Sequence, residues 1–250
     1  GSKSYSPNLI PYPIGCIKSY CLEYSKFTSE FEIEIFKDPQ EFIDAAIKRK
    51  PTIIGFGNYV WNLELSTDIA QELKFMNPET LIIFGGPNFP LENTERVEWL
   101  KQRPFIDMYV AGDGEETFTK IVDCWYELKN IEKVKRENIP GCYSIIDDKL
   151  HKNQEFSPRI QDLDKIPSPY LEGYLDRFLK NTRLSPLIES NRGCPFTCTF
   201  CVDGSASRTK VFQKSVSRFE QEMEYIATHY EGKMLTIADL NFGMFGRDID

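Results

Sequence analysis

Apolar positions along this chain switch repeatedly between two periods. Phe31, Ile33 and Ile35 alternate, which predicts a strand over residues 31–36. After Pro39, the apolar residues Phe42, Ile43, Ala46 and Ile47 share one face of a short helix. Residues 52–56 form a short unbroken apolar run, the mark of a buried parallel strand. Leu65, Ile69 and Leu73 then recur every four residues, a helix that ends near Asn77 and Pro78. Residues 81–84 read as a second buried strand, closed by Gly85, Gly86 and Pro87. A helix near 95–102 and a strand over 106–110 follow. Gly112 and Gly114 break the chain before a helix carrying Phe118, Ile121, Val122, Trp125 and Leu128. A further helix is predicted near 14–24.

Strands alternating with helices at this spacing predict βαβ units and a mostly parallel, doubly wound α/β sheet. Ligands of such sheets lie at the carboxyl ends of the strands. The loops 57–61, 85–89 and 111–116 should therefore share one rim. After Asn138 the pattern changes. Residues 142–146 and 149–151, split by Asp147 and Asp148, read as a hairpin. Pro158, Pro167, Pro169 and Pro186 mark residues 156–186 as a linker with a short helix near 171–179. A strand at 187–189, a long loop over 191–207, a helix striped by Val216, Phe219, Met223 and Ile226, and a strand at 234–238 form a second parallel unit. The expected domains are thus 1–155, the linker 156–186, and 187–250. The 64 residues after 186 hold two strands at about 30 residues per βαβ unit.

Composition narrows the class. Of the 250 residues, 41% are apolar and 27% charged, which excludes a disordered or fibrous chain. The net charge of −8 argues against binding bulk nucleic acid and favours a small-molecule or peptide substrate. No apolar run approaches the ~18–20 residues of a membrane span. Gly1 and Ser2 read as a cloning scar, and the opening residues lack the apolar segment of a signal peptide. Seven cysteines, three of them within eight residues, fit metal binding in a reducing cytoplasm better than a disulfide framework.

Those three are Cys194, Cys198 and Cys201, spaced C-x3-C-x2-C directly after a predicted strand. Thiolates are soft ligands, suited to zinc or iron–sulfur clusters. A closed structural zinc site takes four ligands, and neither His151 nor His229 is near in sequence. Three protein ligands leave one position open for chemistry. Downstream, the strand at 234–238 runs into Asp239, Asn241 and Phe242.

In this loop the chain resembles the radical S-adenosylmethionine superfamily. The resemblance implies a partial (β/α) barrel beginning at residue 187. It also implies a [4Fe–4S] cluster held by Cys194, Cys198 and Cys201, with S-adenosylmethionine chelating the fourth iron. Phe200 would then lie against the adenine, and Asp239 and Asn241 would contact the methionine or ribose moiety. One electron from a flavodoxin- or ferredoxin-type donor would yield a 5′-deoxyadenosyl radical; the cofactors carry the hard chemistry.

The first domain resembles the cobalamin-binding domain that precedes the barrel in many of these enzymes, those of the class B methyltransferase type. The resemblance is carried by Ile54-Gly55-Phe56 with Asn58-Tyr59-Val60-Trp61, by Ile83-Phe84-Gly85-Gly86-Pro87-Asn88, and by Val110-Ala111-Gly112-Asp113-Gly114-Glu115-Glu116. It implies that Asn58, Tyr59 and Trp61 lie under the corrin. Gly85, Gly86, Pro87, Gly112, Gly114 and Glu115 would complete the cofactor rim. Gly85 and Gly86 would let the backbone approach a bulky ligand. No Asp-x-His-x-x-Gly loop supplies a cobalt-ligating histidine.

The reaction this family implies is methyl transfer or another radical modification. Two alternatives stand beside it. One is a radical enzyme without cobalamin, of the methylthiotransferase type, which needs a second cysteine set. Cys16 and Cys21 share one segment while Cys124 and Cys142 lie far downstream, which disfavours it. The other is a non-enzymatic, zinc-stabilised α/β binding module. Arg208, Lys210 and Lys214, just past the cysteines, read as a solvated loop or as contacts to a cofactor carboxylate. A six-strand partial barrel needs more units than 187–250 supply, so the chain is expected to be a fragment of a longer enzyme.

Overall fold

The structure, a computed structural model, describes residues 8–201 and 209–246. Arg208 and the end of the 191–207 loop lie outside these residues, as do both chain ends. The chain divides into two compact units, one from Tyr20 to Arg159, the other comprising Asn8–Ser19 and the chain from Ile160 on. Helix α1 (Tyr12–Tyr24) spans the division.

The first unit follows the predicted alternation. Helix α2 (Pro39–Arg49) starts where the Asp38 carboxylate accepts from the amides of Gln40 and Glu41 at 2.8 and 3.0 Å. Then come β1 (Ile53–Gly57), α3 (Leu63–Met76), β2 (Leu81–Gly85), α4 (Asn93–Lys101), β3 (Met108–Val110) and α5 (Glu115–Leu128). A short α6 (Ile131–Lys135) leads into the hairpin β4 (Cys142–Ile146) and β5 (Lys149–Lys152). The sheet order is β1-β2-β3-β4-β5. The first three strands are parallel, and β4 runs antiparallel to both of its neighbours.

Strand β2 shows why its apolar run is continuous. Leu81 and Ile83 pack on one face with Met108, Ile121 and Trp125. Ile82 and Phe84 pack on the other with Ala70, Leu100, Tyr109 and Tyr143. Both faces are covered, so polar alternation has no place in β2. Each such side chain contributes roughly 1.5–3 kcal/mol by leaving water.

Residues 31–36 do not join this sheet; no strand is formed there. Their alternation is nevertheless real, with Ile35 buried and Glu32 and Glu34 exposed. Phe31 packs on Tyr126 and Phe36 on Phe42. A period of two marks which side meets protein, and here it does so in an extended segment outside the sheet.

The second unit contains a 3-10 turn at Leu163–Lys165, α7 (Asp176–Leu179), β6 (Leu187–Ile188), β7 (Asn191–Arg192), β8 (Phe212–Gln213), α8 (Val216–His229) and β9 (Thr236–Ile237). β6 and β9 pair in parallel, as the β-loop-α-β reading predicts, and β7 pairs antiparallel with β8. The predicted linker is largely packed core. Ile160, Leu163, Ile166, Tyr170, Leu175, Phe178 and Leu179 are buried, within the same unit as buried Ile10, Tyr12 and Cys16. Its prolines bend a packed chain, and the apolar residues between them fill a core.

Candidate functional site

At the carboxyl ends of β1 and β2, the parallel register sets Gly57 beside Gly85. The two following loops are sewn together. The Asn58 amide donates to Gly85 O at 2.6 Å, and Asn58 Nδ2 donates to Asn88 O at 2.7 Å and to the Tyr109 hydroxyl at 3.0 Å. Tyr109, on β3, donates in turn to Gly86 O at 2.9 Å, and its ring stacks on Phe89. Burial pushes the Tyr109 hydroxyl well above its ordinary pKa, so it stays a donor.

Asn58 is fully buried in this mesh and shapes the rim from beneath. The expected closeness of Gly86 to a ligand is also redirected. At φ +124° it lies against the Asn58 backbone, where an added Cβ would come within 2.6 Å of Asn58 O. The glycine serves loop against loop. At Gly85 an added Cβ would meet Val110 O at 3.4 Å, an ordinary contact.

What this mesh presents outward is apolar. Val60 is 81% and Trp61 49% exposed, and Pro87 is exposed as well. Trp61 stacks on Tyr59, with ring centres 4.6 Å apart and planes 9° from parallel. Asn62 fixes this turn by accepting from the Tyr59 amide at 2.8 Å and donating to Gly57 O at 2.7 Å. A flat aromatic step on a rigid loop suits a broad planar ligand.

The third rim loop is clasped by the chain after β5. The Ser157 amide donates to Ala111 O at 2.9 Å, and Thr117 bonds the Ser157 hydroxyl at 2.8 Å. Gly112, at φ +94°, leaves room for the Ser157 backbone. Gly114 caps α5, and Glu115 is buried in the first turn, where a carboxylate suits the helix dipole.

In the second unit the cysteine loop leaves β7. All three thiols are free, with Cys194 half-buried and Cys198 and Cys201 exposed. Phe200 is 90% exposed. Among the described residues no three Cys, His, Asp or Glu side chains are gathered as a metal site. The sulfurs share a loop without yet sharing a ligand geometry. Their chemistry fits a soft metal centre: three thiols outside any disulfide on one segment. A site of this kind takes its final shape on the metal.

The exit of β9 grips the start of this loop. The Asp239 carboxylate accepts from the Ser190 amide at 2.8 Å, the Asn191 amide at 3.2 Å, Asn191 Nδ2 at 2.9 Å and the Ser190 hydroxyl. Asn241 Nδ2 donates to Cys194 Sγ at 3.0 Å. Both residues, expected to face S-adenosylmethionine, here hold the cysteine segment.

Beneath lies a buried ionic network that the sequence reading missed. Lys214, expected on a solvated loop or against a cofactor carboxylate, is buried, donating to Glu222 at 2.8 Å and to the Tyr12 hydroxyl at 2.6 Å. Arg218 takes the other Glu222 oxygen at 3.0 Å. Arg192 grips both oxygens of Glu189 at 3.0 Å. Burial pushes the Glu189 carboxyl up, but Arg192, helped by Lys214 and Tyr12, outweighs it and holds the pKa below the ordinary carboxylate value. No spacing rule marks Tyr12 and Lys214, 202 residues apart, as partners. Lys210 remains exposed near the Phe212 ring.

The B12 binding domain family model matches residues 22–122. The whole chain aligns at 26% identity with the cobalamin-dependent radical SAM methyltransferase TokK of Streptomyces tokunonensis, covering 37% of that protein. It aligns at 26% over 96% of its length with the 2-(S-pantetheinyl)-carbapenam-3-carboxylate methyltransferase of Streptantibioticus cattleyicolor, covering 35% of that protein. The chain thus spans about a third of the length of these curated relatives.

Among solved structures, it resembles the cobalamin-dependent radical enzyme OxsB with aqua-cobalamin and S-adenosylmethionine bound. That match has a TM-score of 0.68 and 17% identity, over 92% of this chain and 31% of that one. It also resembles the radical methyltransferase TsrM of Kitasatospora setae with cobalamin and a [4Fe–4S] cluster bound, at a TM-score of 0.63 and 17% identity, over 94% of this chain and 47% of that one. These likenesses bear out the α/β fold. Together with the domain match and the relatives, they bear out the resemblance to cobalamin-binding-domain-containing radical S-adenosylmethionine proteins. No helix among the described residues is long and apolar enough to cross a membrane.

Proposed function

We propose that this chain is part of a cobalamin-dependent radical S-adenosylmethionine enzyme that transfers a methyl group to a small molecule or peptide. One observation carries the reading. A stretch matched by the B12 binding domain family is followed, in the same chain, by a C-x3-C-x2-C loop of free thiols beside a parallel strand pair. In this reading residues 187–250 begin the radical barrel, and an external flavodoxin- or ferredoxin-type protein delivers the electron.

The bound groups would supply a 5′-deoxyadenosyl radical and a transferable methyl. The chain's own residues bind and orient. Tyr59, Trp61 and Pro87 offer the corrin an apolar platform, while Asn58, Gly85, Gly86 and Tyr109 keep that platform rigid. Gly112, Gly114 and Glu115 shape the third edge of the rim. Cys194, Cys198 and Cys201 would hold the [4Fe–4S] cluster, and Phe200, exposed on the same loop, would lie against the adenine.

The reading is tested by cofactor binding. Anaerobic titration with cob(II)alamin should shift its visible spectrum and saturate at one equivalent. After reconstitution with iron and sulfide, reduction in the presence of S-adenosylmethionine should release 5′-deoxyadenosine. A chain that leaves the cobalamin spectrum unchanged and retains one tight zinc contradicts the proposal.

A further inference from the structure

The Asn241 side chain is a short amide aimed at a sulfur. Its Nδ2 lies 3.0 Å from Cys194 Sγ and donates to it. The backbone that carries it is held by an independent set of bonds. Asp239, two residues earlier, is locked onto Ser190 and Asn191, and the Ala238 amide donates to Ile188 O at 2.8 Å. The donor is therefore fixed in space with respect to the first cysteine of the triad. Cys194 is half-buried, whereas Cys198 and Cys201 are exposed.

From this asymmetry we infer that Asn241 is a positioning residue that sets the reduction potential of the cluster through Cys194; this rests on the cluster reading above. A hydrogen bond to a ligating sulfur withdraws electron density and favours the reduced cluster, whose added negative charge it partly offsets. One electron enters from an external reductant, and no bond at Asn241 forms or breaks. The amide is neutral, so it tunes without adding charge. Asp239, committed to four donors, anchors the segment and takes no part in the tuning.

The test uses this chain, anaerobically reconstituted with iron and sulfide and titrated with dithionite, with the EPR signal of the reduced cluster followed against potential. Two variants are compared with the parent at matched iron content. Asn241→Leu removes the donor, and Asn241→Asp keeps the shape but replaces the donor with an anion. The expected order of potentials is parent, then Leu, then Asp. For Asp the shift should reach about a tenfold loss in the one-electron equilibrium constant, ~59 mV. Equal potentials in all three proteins overturn the inference while leaving the cluster reading intact. If Asn241→Leu takes up no iron, the comparison of Asp with the parent decides in the same way. Loss of iron from both variants overturns the tuning role, because Asn241 then only holds the loop. A parent chain that binds no cluster overturns both the inference and the reading beneath it.

Discussion

The cobalamin-type rim and the cysteine loop reach a ligand-ready state by opposite routes. The rim is complete without its ligand: Asn58, Asn88, Tyr109 and Gly86 satisfy one another, and an apolar step of Tyr59 and Trp61 stands on top. The cysteine loop is anchored at its start by Asp239 and Asn241, and its last two sulfurs are exposed. The difference follows from what each would hold. A broad organic ring gains from a stiff surface, which avoids ordering entropy on binding. Metal ligands must converge to about a bond length, and unsolvated thiolates held that close without the ion would repel.

If that contrast is right, changes beneath each site should differ in kind. The largest effect is expected at Lys214→Met, which strips a buried charge from Glu222. Arg218 still holds that carboxylate, so a loss near the lower end of the range for broken buried pairs, about 3 kcal/mol, is expected in denaturant melts. Next comes Asn58→Ala, which orphans buried partners in the rim mesh. It should cost about 2 kcal/mol and weaken cobalamin binding together with stability. Trp61→Ala separates the two. Its ring is exposed, so stability should change by less than about 0.5 kcal/mol, while cobalamin affinity falls about fivefold, near 1 kcal/mol of aromatic packing. Equal loss of stability in the Asn58 and Trp61 variants would erase the distinction between scaffold and platform.

Thiol chemistry probes the contrast with no mutation at all. Burial pushes Cys142 up to about 12 and Cys21 up to about 11, so hardly any of either is thiolate at pH 8. Iodoacetamide should mark Cys198 and Cys201 first and leave Cys21 and Cys142 untouched until unfolding, as read by peptide mass spectrometry. Early labelling of Cys142 would contradict the packed core around β4.

Much of this was legible from residue order alone. The apolar runs at 52–56 and 81–84 fall on the parallel strands β1 and β2; β2 carries no polar alternation because both of its faces are covered, while β1 is only partly buried. The rim was legible too, since parallel strands bring their following loops to one edge. The roles of individual residues within it were less so. Asn58 and Gly86 were readable as special positions, but only the fold shows that they face each other. The packed 156–186 segment was misread because proline density signals bends, and bends occur equally in linkers and in compact loops. The Tyr12–Lys214–Glu222 network left no local trace, as its members come from distant elements.

The cysteine triad remains the centre of the account, and metal analysis of the protein purified and reconstituted without oxygen tests it most directly. The expected result is about four irons with matching sulfide per chain, as a [4Fe–4S] cube requires. That iron should be lost in Cys198→Ala and retained in Cys124→Ala. Zinc at one per chain, or iron that survives Cys198→Ala in full, would contradict it.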